Sequence, residues 1–503
     1  MDTRSPERIR QLVIVGGGTA GWMAAAALAR HFERTDLRIT LVESSAIGTI
    51  GVGEATIPTI RRFYARLGMS DMEVMRATHA TAKLGISFEG WDHPGSRCLH
   101  PFGLFGQDYG EIGFHHLWLD AWARGDETPL TAYSLGAGLA NEGRMALPQP
   151  NPPTPLATYD WALHLDASLF AQHLRGFAER AGVTRIDARV EHVELAADGR
   201  IAAIRLDEGR RVAGDFFIDC TGFRSLLLGE ALGVDYVDWG QWLPCDTAIA
   251  IQTENDPATP LPPHTRVIAR DAGWQWRIPL QHRAGNGIVY ASEHWSDDEA
   301  LAALTADLPG KAVTEPRRIP FRPGRRAKSW EKNCVALGLA AGFVEPLEST
   351  SIAVIETGIE RLKQLFPDTR LDPALASEFN DATGREMDRL RDFLVLHYKL
   401  ARRGDTPFWR ACAAIDLPET LRHKLAVWDA CGEFVRYRWE MFHPSSWLAI
   451  YSGFGRLPQR LSPALDGIDR TALDAAMAKM RTSVAETVVR TPSHAQFLAA
   501  IPQ

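Results

Sequence analysis

The opening forty-odd residues constrain the fold more than any other part of the chain. Gln11-Leu-Val-Ile-Val15 is a short, continuously apolar run of the kind that fills the centre of a parallel sheet. Gly16-Gly-Gly-Thr-Ala-Gly21 follows as a turn, and Trp22-Met-Ala-Ala-Ala-Ala-Leu-Ala29 as a helix. A second strand, Leu37 to Val42, ends in Glu43. Strand, glycine turn, helix, strand and acid in this order make a nucleotide-binding unit. Gly16, Gly18 and Gly21, with Thr19 and Ala20 between them, expose backbone amides and a helix N-terminus to a pyrophosphate. Glu43 is placed to meet the ribose hydroxyls of an adenosine.

Composition narrows the classes that remain. A net charge of −7 with no basic block argues against nucleic acid as a partner. No apolar run approaches the ~18–20 residues of a membrane span, and the first strand begins too early to leave room for a signal peptide. The six cysteines form no Cys-x-x-Cys pair, so neither a metal site nor a disulfide framework is expected. Together these point to a cytoplasmic protein with no metal.

Further strands are expected at Val190–Leu195, Ile201–Leu206 and Phe216–Asp219, and a second antiparallel sheet from Val267–Arg270, Trp274–Ile278 and Gly287–Ala291. Helical periodicity takes over from about Ile352, with later helices over Arg389–Leu400 and Ala472–Val489. The Pro-rich stretches Leu147–Pro155 and Asp256–Pro263 read as exposed loops, and so does the basic stretch Arg317–Arg326. The expected fold is α/β: a Rossmann-like FAD-binding module of the flavin monooxygenase type over residues 8–360, carrying an inserted antiparallel sheet, then a mainly helical C-terminal substrate lobe over 361–503.

FAD is favoured over NAD by two later segments. Ile218-Asp-Cys-Thr-Gly222 is similar to the second glycine turn of glutathione-reductase-type flavoproteins. Asn333 to Gly342 occupies the place where flavin hydroxylases carry Gly-Asp-Ala, but Leu339 stands where their Asp would be.

A set of motifs then carries a resemblance: Gly16-Gly-Gly-Thr-Ala-Gly-Trp22, Gly51-Val-Gly-Glu-Ala-Thr-Ile-Pro58, Lys83-Leu-Gly-Ile-Ser-Phe88, His100-Pro-Phe-Gly103, Trp274-x-Trp-x-Ile-Pro279, Glu345-Pro-Leu-Glu-Ser-Thr350 and Asp405-Thr-Pro-Phe-Trp409. Jointly they resemble the flavin-dependent tryptophan halogenase family over nearly the whole chain. The resemblance implies that reduced FAD, O2 and chloride or bromide generate hypohalous acid, which travels through a short internal tunnel to an electron-rich ring. It implies that Lys83 and Glu348 hold and polarise that oxidant, with Glu345 the competing carboxylate. It places halide on the backbone amides of Thr350 and Ser351, and assigns Ser44, Gly53, Glu54, Ala55, Val190, Leu339 and Ile352 to the flavin site. The resemblance further implies that Trp274 and Trp276 wall off the flavin and that His100, Phe102 and Trp447 line the substrate compartment.

Two departures bear on what the compartment takes. Ser351 stands where the family often has glycine. Trp439-Glu-Met-Phe-His-Pro-Ser-Ser-Trp447 is short and lacks the tyrosine pair with which relatives acting on free tryptophan clamp the amino acid. A buried ammonium and carboxylate without partners would cost several kcal/mol, so an indole derivative other than free tryptophan is expected. No second fingerprint for a nicotinamide cofactor is present, and the resemblance implies a separate NAD(P)H-dependent flavin reductase as the source of FADH2. An aromatic hydroxylase and an inactive flavin-binding scaffold remain open at this point, as does assembly into a homodimer.

Overall fold

The computed structural model describes residues 8–47 and 53–501. The strand Gln11–Val15 sits centrally in a six-stranded sheet, between Phe216–Asp219 and Arg38–Glu43. Cys334–Ala336 and Thr184–Asp187 extend it on either side, all in parallel, and Trp330–Glu331 adds an antiparallel edge. The registers align Val15 with both Asp219 and Val42, so the two glycine turns leave the sheet at the same end. Ala-rich helix Thr19–His31 has nine consecutive buried residues, Gly21 to Ala29. Its small side chains let it pack closely against helices Ala167–Arg180 and Ser351–Gln364.

The chain divides into two compact units, each built from three segments. The first takes the stretch up to Thr78, Leu165–Gly240 and Phe321–Asp388, and holds the parallel sheet. The second takes His79–His164, Gln241–Pro320 and Arg389–Gln503. The boundary expected at residue 360 therefore falls within the last segment of the first unit, and the C-terminal helices share the second unit with the inserted sheet.

That sheet has seven strands: Arg317–Pro320, Thr247–Thr253, Ala284–Tyr290, Gly273–Pro279, Thr265–Arg270, Gly85–Glu89 and Arg97–Pro101. It is antiparallel except where Thr265–Arg270 runs parallel to Gly85–Glu89. The three strands expected from sequence lie at its centre; Gly273–Pro279 and Ala284–Tyr290 are buried on both faces, whereas burial alternates along Thr265–Arg270.

Three expectations need adjustment. The pair Val190–Leu195 and Ile201–Leu206 gains a third strand, Arg211–Ala213. The helix expected from Arg389 begins at Pro373, because the polar first half of Pro373–Leu400 hides its periodicity. The basic stretch 317–326 is exposed at Arg317, Arg318 and Arg322 as expected, but Arg317–Pro320 and Gly324–Arg326 are strands and not loop. Of its five arginines, Arg318 forms an ion pair with Asp297, Arg322 with Asp238 and Arg325 with Asp388.

Candidate active site

In the first unit, the glycine turn is bare because nothing else fits. A Cβ on Gly16 would run into the Cys220 carbonyl, one on Gly17 into the Glu43 carboxylate, and one on Gly21 into the Gly16 carbonyl. Gly16 also has φ +107°, a conformation side chains disfavour. Gly18 caps the helix without a side-chain hydrogen bond, and Thr19, Ala20 and Gly21 form its first turn, whose N–H groups have no intrahelical partners. This is a cradle for a diphosphate, and the residues present fit that part of FAD. Glu43 follows on the neighbouring strand, where Arg185 donates to its Oε1 at 2.5 Å. Ser44, next in the chain, is half-buried.

The motif residues Gly51 and Val52 lie outside the described residues. Gly53 opens the strand Gly53–Ala55. Glu54 on that strand is pushed up to about 7 by burial. Val190 is packed in the core beneath the parallel sheet. Leu339 sits half-buried in the turn Gly338–Ala340, whose Gly338 approaches Ala20 too closely for any side chain.

Beyond it, Glu345 and Glu348 are both buried, at 0% and 1% exposure. The turn Pro346–Glu348 ends at Ser349, whose left-handed φ of +60° redirects the chain into helix Ser351–Gln364. Thr350 is the cap of this helix, and its buried Oγ1 has no hydrogen-bond partner among the described residues. A buried orphan hydroxyl at a 14-residue helix N-terminus is where an anion fits. Ser351 is the first helical residue and is absent from the positive-φ residues, so its conformation does not call for glycine. Ile352 is buried immediately after.

In the second unit, Lys83 is fully buried at the end of strand Thr81–Lys83. Its Nζ lies 5.2 Å from the centre of the Phe102 ring. That strand pairs with Ala162–Asp166 in a register that sets Lys83 against Ala162 and Thr81 against His164. Thr81 Oγ1 donates to the Pro279 carbonyl at 2.7 Å, so it must accept from His164 Nδ1 at 2.9 Å. His164 Nε2 then accepts from Thr265 Oγ1 at 2.9 Å. Burial, with Lys83 adding repulsion, holds His164 well below its ordinary pKa and keeps it neutral. The Ala82 N–H donates to His494 Nε2 at 3.2 Å, while His494 Nδ1 donates to the Leu261 carbonyl at 2.7 Å. Two neutral imidazoles thus clamp the strand that carries the lysine. Neither was foreseen; a histidine in an apolar strand and another near the C-terminus give no sequence signal of a shared partner.

Trp274 and Trp276 lie on one face of Gly273–Pro279, both buried, with ring centres 6.1 Å apart. The Trp276 ring covers Gly287 of the paired strand, where any side chain would collide with it. His100 is buried 6.0 Å from Phe393 and 6.2 Å from Phe442, measured between ring centres. Phe393 stacks on Phe442 at 4.0 Å and meets Trp447 edge-on at 4.9 Å. These four rings form one aromatic wall in which Phe393 and Phe442 were not anticipated, although Phe442 lies in the segment leading to Trp447. The Trp447 Nε1 is buried with no hydrogen-bond partner among the described residues, a donor left for a bound group.

Comparison with known proteins agrees with this arrangement. The family profile described as tryptophan halogenase matches residues 11–470. The tryptophan 6-halogenase SttH of Streptomyces toxytricini is 38% identical, with all of both chains covered. The tryptophan 7-halogenase RebH of Lentzea aerocolonigenes is 34% identical, over 91% of this chain and 92% of its own. Among solved structures, BrvH, a flavin-dependent halogenase from Brevundimonas sp. BAL3, superposes with a TM-score of 0.96 at 62% identity, covering 98% of this chain and 99% of that one. The chain belongs to the flavin-dependent tryptophan halogenase family, whose members are enzymes using FADH2, O2 and halide.

Proposed function

We propose that this enzyme halogenates an indole derivative other than free tryptophan, with chloride or bromide, through hypohalous acid held by Lys83 and Glu348. The observation that carries the reading is the placement of Lys83. A lysine with no exposed surface, its ammonium over the ring of an expected substrate-wall residue, has the position of a reagent holder rather than a surface charge.

Bound reduced FAD, delivered by a separate NAD(P)H-dependent flavin reductase, supplies with O2 the oxidising equivalents that turn halide into hypohalous acid. The Gly16–Gly21 turn and Glu43 hold the adenosine diphosphate end. The amides of Thr350 and Ser351, with the orphan Thr350 hydroxyl, bind halide. Trp274 and Trp276 keep bulky molecules and bulk water from the flavin. Lys83 donates an N–H to the oxygen of hypohalous acid, which draws electrons from the halogen and makes it the better electrophile. Glu348 takes the proton that the ring loses when it rearomatises. Glu345, equally buried, is three residues away, and the assignment between the two carboxylates rests on the family motif.

Halogen isotope patterns in mass spectrometry test the reading. The enzyme with FAD, flavin reductase, NADH and O2 is offered indole or tryptophan with chloride or bromide. Halogenated indole in excess of halogenated tryptophan is the expected result. Preferred turnover of tryptophan overturns the substrate assignment. Oxygenated product that forms without halide moves the chain to hydroxylation, and absence of any product from a panel of indoles leaves an inactive scaffold.

A further inference from the structure

A buried ion pair borders the aromatic wall of the second unit. Lys424 Nζ lies 2.6 Å from Glu440 Oε1, and the two side chains are 4% and 9% exposed. Lys424 comes from helix Glu419–Cys431, Glu440 from the irregular segment that precedes Trp447. The same ammonium donates to the Val435 carbonyl and stands 4.4 Å from the centre of the Trp447 ring and 4.9 Å from that of Tyr437. Burial draws the Lys424 pKa down; Glu440 and Asp392 oppose the shift, and Arg389, stacked over Tyr437, adds to it.

Taking a carboxylate out of water is costly unless a cation stands beside it. A lysine is an expensive way to fill a core, since it gives up rotamer freedom and hydration together. Its ammonium lies against a carboxylate and over the face of an indole ring that also packs on Phe393, a setting whose chemistry also suits the ammonium of a ligand.

We propose that Lys424 is a built-in counter-ion which balances the charge of Glu440 from within, so that the compartment walled by His100, Phe393, Phe442 and Trp447 selects uncharged electron-rich rings over those carrying an ammonium. The proposal rests on the reading of that wall as the substrate's. Lys424 acts on specificity through Glu440; it takes no part in the chemistry. An aromatic amine must displace a tethered ammonium that is already at full effective concentration, whereas a neutral indole displaces nothing. The logic is reciprocal: a compartment without Lys424 has a spare negative charge, and one without Glu440 a spare positive charge.

Calorimetric binding of indole, tryptamine and indole-3-acetate to the FAD-loaded enzyme tests this. The wild type is expected to prefer indole to both charged ligands. Lys424→Met is expected to shift the tryptamine-to-indole affinity ratio at least tenfold towards tryptamine, and Glu440→Gln to shift the indole-3-acetate-to-indole ratio in the same sense. The double variant loses both gains. If Lys424→Met is too unstable for calorimetry, tryptamine is expected to raise its thermal midpoint well beyond what indole does. Unchanged ratios in folded variants, or a wild type that binds tryptamine as tightly as indole, overturn the proposal. A wild type that binds indole without halogenating it fails the functional reading alone, and the affinity ratios remain decisive; one that halogenates indole while the ratios stay fixed fails this inference alone.

Discussion

The Lys83 ammonium lies 5.2 Å from the centre of the Phe102 ring, with the lysine wholly removed from solvent. Both residues belong to the second unit, so the proposed halogen-activating group and the proposed substrate wall share one scaffold. The predictions below follow from that geometry and its counterpart in the first unit.

Replacing Lys83 with alanine removes the donor proposed to polarise hypohalous acid. Halogenation of indole should fall by roughly 10²–10⁴-fold, while NADH-driven O2 consumption continues and hypohalous acid escapes to solvent, where a soluble halogen acceptor traps it. A variant that keeps more than a tenth of the wild-type rate would remove Lys83 from its assigned role.

Gly16→Ala forces a side chain into the Cys220 carbonyl at a φ of +107°. Strain of ~1–3 kcal/mol should weaken FAD binding about ten- to a hundredfold. Flavin fluorescence titration measures it, and unaltered affinity would show that the turn does not hold the cofactor.

Thr350→Val deletes the buried hydroxyl that has no partner among the described residues. Loss of one hydrogen bond to an anion, ~1.5–3 kcal/mol, should raise the KM for bromide roughly ten- to a hundredfold. Ser351→Gly, at an ordinary helical position, should change it by less than about threefold. The reverse ranking would place the halide elsewhere.

His264 and His494 are buried and drawn down to about 4, chiefly by burial. Between pH 6.5 and 4 the unfolded chain carries protons on these rings that the folded one does not, so their contribution is complete above pH 6.5 and is lost as pH falls. Roughly 3 kcal/mol is at stake for each. Thermal midpoints of His494→Gln and wild type should converge on acidification, and a constant gap from pH 7.5 to 4.5 would contradict the assignment.

Glu356 shows the opposite sign. Burial pushes its carboxyl up to about 8; Thr59, Arg62 and Arg66 offset part of the shift, and Glu360 adds to it. The folded chain keeps this proton between pH 4.5 and 8 while the unfolded one releases it, so stability falls as pH rises across that window. Glu356→Gln should therefore stabilise the protein at pH 8, by on the order of 2–4 kcal/mol, and leave it nearly unchanged at pH 4.5. Chemical denaturation at the two pH values decides.

The parallel sheet, its glycine turn and the central strands of the second sheet could be read from residue order, because each rests on local periodicity and turn chemistry. The first half of Pro373–Leu400 shows no clear apolar period because its buried face mixes Thr383 and Glu386 with Phe379, Ala382 and Met387, and Arg317–Arg326 reads as a loop because its two strands are short and charged and the first is largely exposed. The left-handed turn falls on Ser349, so the conformation at Ser351 does not call for the glycine that the family often has there.

By itself the sequence determined the nucleotide-binding fold, the family and the residue types that carry its chemistry, since these reside in short contiguous motifs. Only the tertiary structure decided what surrounds those residues. The Ala82–His494 hydrogen bond spans 412 positions of sequence, the Thr81–His164 bond 83, and the Lys424–Glu440 pair joins a helix to an irregular segment. Such contacts have no period and no spacing. They arise when folding removes water from polar groups, which must then find each other wherever the chain has brought them.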